Sequence, residues 1–240
     1  VDLKQTTVGG VSSGAYFAAQ FHVTWSRHLI GVGIFSGGPW GCADKNYVST
    51  ASSWASNLSI AESLCMQGTG HGTNIGDHVH NLIERAKDFA NDEKIDAIEH
   101  LLNDKIYINY GGNDPTVRPA VSESIPTFYL GLGVENDNIF SNFIPEMGHA
   151  IPTDDWGNGC EFDTEPPWIS DCGYDGAGEM FKHLYGQENL NSPAPKTGLS
   201  GEFVEFDQSE FTDQVGAPTP QSIGMNEKRG IYVPEPCDPQ

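Results

Sequence analysis

Apolar and polar positions change rhythm repeatedly along this chain, and the changes mark out its elements. Leu29-Ile-Gly-Val-Gly-Ile-Phe35 is a continuous apolar run, as expected of a strand covered on both faces. Lys105 to Tyr110 and Asn138 to Ile144 read as further strands, and Leu3 to Val8 as a short one. Between them lie helical patterns over residues 14 to 25, over much of 48 to 103 with a Gly-rich break from Gly68 to Gly76, and up to about Gly131. Residues 150 to 172 read as a loop rich in Asp, Pro and Gly. Tyr174 to Tyr185 reads as a helix stopped by Gly186. A Pro/Ser/Gly linker over 189 to 201 precedes two last strands, Glu202 to Phe206 and Gly230 to Pro234. There is no internal repeat. Strands alternating with helices predict an α/β domain built on a parallel sheet.

Composition narrows the setting. A chain of 240 residues fits one domain with a sizeable core, or two small domains. Its 12 Lys plus Arg against 33 Asp plus Glu give a formal net charge of −21. Such a surface repels a nucleic-acid duplex or an anionic membrane, so neither is an expected partner, and the expected substrate is neutral or cationic. No apolar run reaches membrane-spanning length, and no secretory leader pattern stands at the N-terminus. The first residue is Val, so a processed form or a fragment is expected. Five cysteines show no CxxC and no metal spacing. Cys42 and Cys65 bracket one segment and Cys160 and Cys172 another. Two disulfides with one of the five cysteines left over, Cys237 being the fifth in chain order, suit an extracellular protein, and sequence leaves the connectivity open.

The chemistry gathers where strands end. Gly10-Val-Ser-Ser-Gly14 stands between a strand and an Ala-rich helix, in the arrangement of a nucleophile elbow centred on Ser12. The N–H of Ser13 would lie at the helix N-terminus, where unpaired donors favour a developing oxyanion. Gly111-Gly-Asn-Asp114-Pro closes the second of the longer strands, and Pro145-Glu-Met-Gly-His149 the third. C-terminal ends of parallel strands share one edge of a sheet, so these remote residues can meet there. Ser12, Asp114 and His149 follow one another in the α/β-hydrolase order. A serine hydroxyl needs an imidazole to take its proton, and the imidazole needs a carboxylate to fix its tautomer and stabilise its charge. Taken singly, Asp114 reads more readily as a turn former, and His149 reads as a satisfied loop histidine. It is the conjunction that points to chemistry.

Other candidates carry less. His78 and His80, with His71 nearby, have the residue types of a metal site, but i and i+2 side chains diverge on a helix, which favours a solvated helix start. Asp154, Asp155, Asn158 and Asp163 lack the spacing of a calcium loop. No Gly-rich segment carries the Lys of a phosphate loop. Tyr16, Phe17, Trp40, Trp156 and Trp168 lie near the catalytic loops. Of these, Tyr16, Trp40 and Trp156 are the candidates for an apolar substrate cleft, with Phe17 a core residue by default.

These motifs together resemble the single-domain extracellular poly(3-hydroxybutyrate) depolymerases. The segments that carry the resemblance are Gly10-Val-Ser-Ser-Gly-Ala-Tyr-Phe-Ala-Ala-Gln20, Gly37-Gly-Pro with Cys42, Gly112-Asn-Asp114-Pro-Thr-Val-Arg-Pro119, Gly148-His149-Ala-Ile-Pro-Thr153 and Cys172-Gly-Tyr-Asp-Gly-Ala-Gly178. They extend over most of residues 7 to 186. The resemblance implies a circularly permuted α/β-hydrolase, with a parallel sheet flanked by helices and a C-terminal antiparallel hairpin. It implies Ser12 as nucleophile, Asp114 as orienting acid, His149 as general base and Ser13 N–H as one oxyanion donor. It also implies a secreted esterase, expected to be a monomer without metal or organic cofactor, that cleaves a hydrophobic polyester or a small ester through an acyl-enzyme. Two alternatives stand beside it: an esterase for feruloyl or acetyl groups on carbohydrate, and a non-catalytic hydrolase-like binding domain. Ala15 and Phe17 replace the commoner Gly and Met of the family's elbow. The family's His-Gly-Cys loop and its Trp-bearing segment have no counterpart here, so a C-terminally truncated, incomplete catalytic domain is expected.

Overall fold

The computed structural model describes residues 5–48, 50, 55–162, 165–190, 201–212, 219–223 and 226–234. The chain divides into two compact units, Val1–Leu190 and Asn191–Gln240. The first opens with strand β1 (Val8–Val11), helix α1 (Ser13–Thr24) and strand β2 (Gly31–Phe35). A short helix α2 (Asn57–Ile60), a two-stranded ribbon of β3 (Thr69–Gly70) and β4 (Thr73–Asn74), and the long helix α3 (Ile75–Asn91) follow. Strand β5 (Lys105–Gly111), helix α4 (Pro119–Gly131) and strand β6 (Ile139–Ile144) complete the main sheet layer. Three short strands come next, β7 (Ile151–Thr153), β8 (Asn158–Gly159) and β9 (Ile169–Asp171), and then helix α5 (Gly176–Tyr185). The second unit holds β10 (Gly201–Asp207), a short helix α6 (Ser209–Thr212) and β11 (Lys228–Pro234).

The main sheet has the order β1-β2-β5-β6 and is parallel throughout. Strand β2 is buried along its whole length, and its alternate residues serve the two faces. Val32 and Ile34 join the large core formed with α1, α3 and α4, while Phe35 joins a second cluster with Tyr107 and Leu184 on the α5 side. Gly33 keeps the α5 face open: a Cβ there would run into the Met180 side chain. On the opposite face, Ala15, Ala18 and Ala19 of α1 are buried, and such small side chains let the helix lie close to β1 and β2. Helix α3 owes its placement to an apolar stripe of Ile75, Val79, Leu82, Ile83 and Ala86, with Asn74 capping its first turn through the Asp77 N–H.

The first strand lies further along than expected. Leu3 and Lys4 fall outside the described residues, and pairing with Val32–Phe35 runs from Val8 to Val11, up to the turn itself. The segment 150–172, expected as a loop, contains the three-stranded sheet β7-β9-β8, because disulfide Cys160–Cys172 and the pairing of Ile151 with Ile169 draw it together. Cys42–Cys65 is the other disulfide. Cys237, Asp163 and most of the 189–201 linker lie outside the described residues. In the second unit β10 and β11 form the expected antiparallel hairpin, with Phe203 opposite Tyr232. The elbow strand is first and the hairpin last among the described strands.

The tight α1 interface has no room for a longer side chain. Ala18→Leu is expected to destabilise by about 1–3 kcal/mol through overpacking, lowering the Tm by roughly 2–4 °C for each kcal/mol, read from a thermal melt.

Candidate active site

At the head of β1 the backbone reverses sharply into α1. Ser12, between them, has φ 56° and ψ −124°, a conformation that L-residues rarely adopt and that projects the side chain out of the turn. The turn is anchored by two backbone hydrogen bonds, Ser12 N–H to Phe35 O at 3.0 Å and Tyr16 N–H to Ser12 O at 3.0 Å. It also requires glycine two residues earlier. A Cβ on Gly10 would stand 2.5 Å from the Gly14 carbonyl, so strand and helix touch backbone to backbone. Ser13 is the first residue of α1, and its N–H therefore has no acceptor within the helix.

The carboxylate and the imidazole come from the next two loops along the same edge. Asp114 is fully buried and follows β5; His149 is nearly so and follows β6. His149 Nδ1 lies 2.8 Å from Asp114 Oδ2. The other carboxylate oxygen, Oδ1, accepts the N–H groups of Thr116 at 2.9 Å and Val117 at 2.8 Å. Asp114 is thus a turn former and an imidazole partner at once, one oxygen for each role. With Nδ1–H donated to the carboxylate, Nε2 keeps its lone pair, the tautomer that accepts a proton.

The two loops are interlocked. Gly112 N–H donates to Ile144 O at 3.0 Å and Asn113 N–H to Met147 O at 3.0 Å, while Asn113 Nδ2 reaches Glu146 O at 2.9 Å. Side chains at Gly111 or Gly112 would strike the backbone of Met147 or Pro145. Next to His149, the Gly148 N–H donates to the carbonyl of Cys160 at 2.9 Å, which ties the histidine loop to the Cys160–Cys172 disulfide.

Ser12 and Ser13 line a cavity of about 760 Å3, together with Tyr16, Trp40, Met66 and Phe89. Its wall is mainly apolar, as a ligand cleft requires. Tyr16 hydrogen-bonds the carbonyl of Cys65, and burial, with the Asp114 charge adding to it, pushes its phenol well above the usual range. That charge connects the elbow helix to the carboxylate. Trp40 is buried, packs edge-on against Phe89 and donates to Thr24 Oγ1 at 3.4 Å. Trp156 lies apart: it is exposed on the loop before β8, bordering a shallow depression with Asn158 and Pro167, and is not among the residues that line the cavity. Phe17, a core residue by default from sequence, is instead exposed on α1, where it stacks on Phe21. The Ser12 hydroxyl makes no hydrogen bond among the described residues; in ligand-free sites such contacts are commonly long and tighten with substrate.

Some residues of this site have no sequence signature. Asp44, Arg85 and Phe89 line the same cavity. Arg85 and Phe89 share one face of α3, but Asp44 precedes Arg85 by 41 positions and the three match no motif; only the packing of α3 against the 40–48 loop joins them. His78, expected on a solvated helix start, is fully buried, with Nε2 3.2 Å from the carbonyl oxygen of Cys42. Burial holds its pKa below the ordinary value, with the Cys42 bond opposing.

An elbow at the head of a parallel sheet, helices on both faces and a carboxylate–imidazole pair on neighbouring strand ends define an α/β-hydrolase fold. No family model matches the chain. It is 33% identical over 238 residues to the poly(3-hydroxybutyrate) depolymerase of Delftia acidovorans and 33% identical over 244 residues to the polyhydroxybutyrate depolymerase of Talaromyces funiculosus. Both matches take in 99% of this chain, which spans 42% of the first relative and 61% of the second. The crystal structure of the PHB depolymerase from Penicillium funiculosum superposes with a TM-score of 0.73 at 30% identity, covering 99% of this chain and 65% of that one. A PHB depolymerase complexed with an R3HB trimer gives a TM-score of 0.72. The chain is similar to these depolymerases along almost its whole length and spans about half the length of the curated relatives it matches.

The buried histidine sets a pH dependence. With a folded-state pKa below the unfolded one, His78 costs nothing above about pH 6.5, where it is neutral in both states. As pH falls below that, the unfolded chain takes up the proton first and stability declines. His78→Asn is expected to flatten the decline below about pH 6.5, read as denaturation midpoint against pH.

Proposed function

We propose that this chain carries the catalytic machinery of a secreted serine esterase that hydrolyses poly(3-hydroxybutyrate) or a related polyhydroxyalkanoate. The observation that carries the reading is the buried 2.8 Å pair of Asp114 and His149, on the same sheet edge as the strained Ser12 elbow. The relatives' names supply the substrate class, and the apolar cavity beside Ser12 suits a neutral polyester.

In this reading the Ser12 hydroxyl adds to the ester carbonyl while His149 Nε2 takes its proton. Asp114 stabilises the imidazolium, and its buried, doubly hydrogen-bonded carboxylate is fixed before reaction begins. The Ser13 N–H faces the developing oxyanion. Collapse breaks the ester C–O bond; the alcohol fragment leaves with the proton from His149, and the 3-hydroxyacyl group stays on Ser12. Water then attacks this acyl-enzyme with His149 again as base, releasing the acid and restoring the hydroxyl. Every step is proton transfer and acyl transfer, and neither calls for a redox or metal partner. The two disulfides accord with secretion, and a monomer is sufficient for this site.

An organophosphonate separates this reading from that of a non-catalytic binding domain. The wild-type chain is expected to be labelled at Ser12 and Ser12→Ala to remain unlabelled, by intact-mass spectrometry; an unlabelled wild type would sink the esterase reading. Asp114→Asn is expected to lower kcat on a soluble 3-hydroxybutyrate ester by about 10⁴-fold with the fold intact. Faster turnover of feruloyl esters than of polyhydroxybutyrate would move the substrate to plant polysaccharide.

A further inference from the structure

The cavity beside Ser12 is apolar along most of its wall, but it contains one cation. Arg85, on α3, is the one basic side chain among the described residues that line it, and Asp44 the one acid. The guanidinium is held from several sides. Its Nη2 lies 2.7 Å from Asp44 Oδ2, its Nη1 donates to the Tyr47 hydroxyl, and its central carbon lies 3.5 Å from the ring centroids of both Tyr47 and Phe89. Phe89 is buttressed in turn by Trp40. Asp44 is itself pinned: its Oδ1 accepts the N–H of Asn46 at 3.1 Å and the Asn46 side-chain amide at 2.9 Å. The arginine is therefore mostly buried and pre-ordered, with only 13% of its side chain exposed.

An arginine that served only to fix α3 to the 40–48 loop would not need to border a ligand cavity. A guanidinium has five N–H groups, and here one goes to Asp44 and one to Tyr47. The stacking rings occupy its faces, so what remains for a ligand is donors in the guanidinium plane. That geometry matches a carboxylate, which takes two parallel N–H···O bonds in one plane. A neutral ester carbonyl gains much less from it. Elsewhere the surface repels anions, since the chain carries a net charge of −21.

A polyester of hydroxy acids has two different ends, a hydroxyl and a carboxylate. We propose that Arg85 binds the free carboxylate end of the substrate, so that the cavity between Ser12 and Arg85 holds the alcohol-side fragment and measures the cut from the acid terminus. The inference rests on the esterase reading above and adds to it a direction of binding and a chain-end specificity. On cleavage, the fragment anchored at Arg85 leaves as the alcohol, already bearing its carboxylate, while the remainder of the chain is the acyl group on Ser12.

The test compares the (R)-3-hydroxybutyrate trimer as the free acid with its methyl ester, which removes the charge and little else. Calorimetry on Ser12→Ala measures binding without turnover. The free acid is expected to bind about tenfold more tightly than the methyl ester, and the wild-type KM values are expected to differ by a similar factor with kcat nearly equal. Adding Arg85→Met is expected to bring the two affinities together, whereas Arg85→Lys, which keeps the charge without the planar fork, retains only part of the difference. Circular dichroism melts confirm that each variant is folded; if Arg85→Met is not, the Arg85→Lys ratio and the wild-type comparison decide. Equal affinity for the two trimers, binding of neither, or a preference that survives in Arg85→Met overturns the inference. Hydrolysis of the methyl ester without any preference would leave the esterase reading standing and remove only the role of Arg85. No turnover of either trimer, together with a clear binding preference, would do the reverse.

Discussion

The site depends on two loops that touch through their backbones. At the end of β5, Gly111 and Gly112 press against the carbonyls of Met147 and Pro145, and the hydrogen bonds from Gly112 and Asn113 knit the two segments together. A Cβ at either glycine would strike those carbonyls and push the loops apart. Without that contact Asp114 and His149 would still sit on neighbouring strand ends, but not 2.8 Å from each other. An unpaired buried carboxylate is among the more costly defects in a protein interior. The pair therefore stabilises the arrangement that it also uses.

Around this contact the fold distributes rigidity unevenly. The elbow is held from below by β2, whose Phe35 carbonyl accepts the Ser12 N–H, and by the alanine face of α1. The histidine loop is held from outside, by the Cys160 carbonyl and its disulfide. The second disulfide, Cys42–Cys65, joins the two segments that line the cavity opposite α1, and the Tyr16 hydroxyl bonds the Cys65 carbonyl. Covalent links thus stand where loops rather than strands carry the candidate site, and where packing alone gives least restraint.

A second Asp–His pair shows that such pairing does not by itself indicate function. His22 is fully buried in α1, with Nε2 3.0 Å from Asp104 and Nδ1 3.0 Å from the Tyr129 hydroxyl. Both of its nitrogens are occupied inside the protein, and the network ties α1 to α4 and to the start of β5. His149 has one nitrogen engaged by Asp114 and the other with no hydrogen-bond partner among the described residues. That open nitrogen, on the same sheet edge as the strained Ser12 turn, sets His149 apart from the saturated His22.

The linear chain determined what depends on local pattern. The buried run Leu29 to Phe35 announced β2, Lys105 to Tyr110 announced β5, and the Gly-x-Ser-x-Gly turn placed Ser12 at a strand end, because hydrophobic periodicity and glycine punctuation act over a few residues. Chain order and strand-end position were likewise enough to put Ser12, Asp114 and His149 on one edge. Whatever required contact between distant segments was decided by tertiary structure alone. It brought Arg85, Phe89 and Asp44 into one cavity wall, left Trp156 and Phe17 exposed, buried His78, and turned the 150–172 segment into a small sheet. Burial and pairing of that kind belong to neither partner singly. They arise when surfaces far apart in sequence exclude water from each other, and no local pattern records which surfaces will meet.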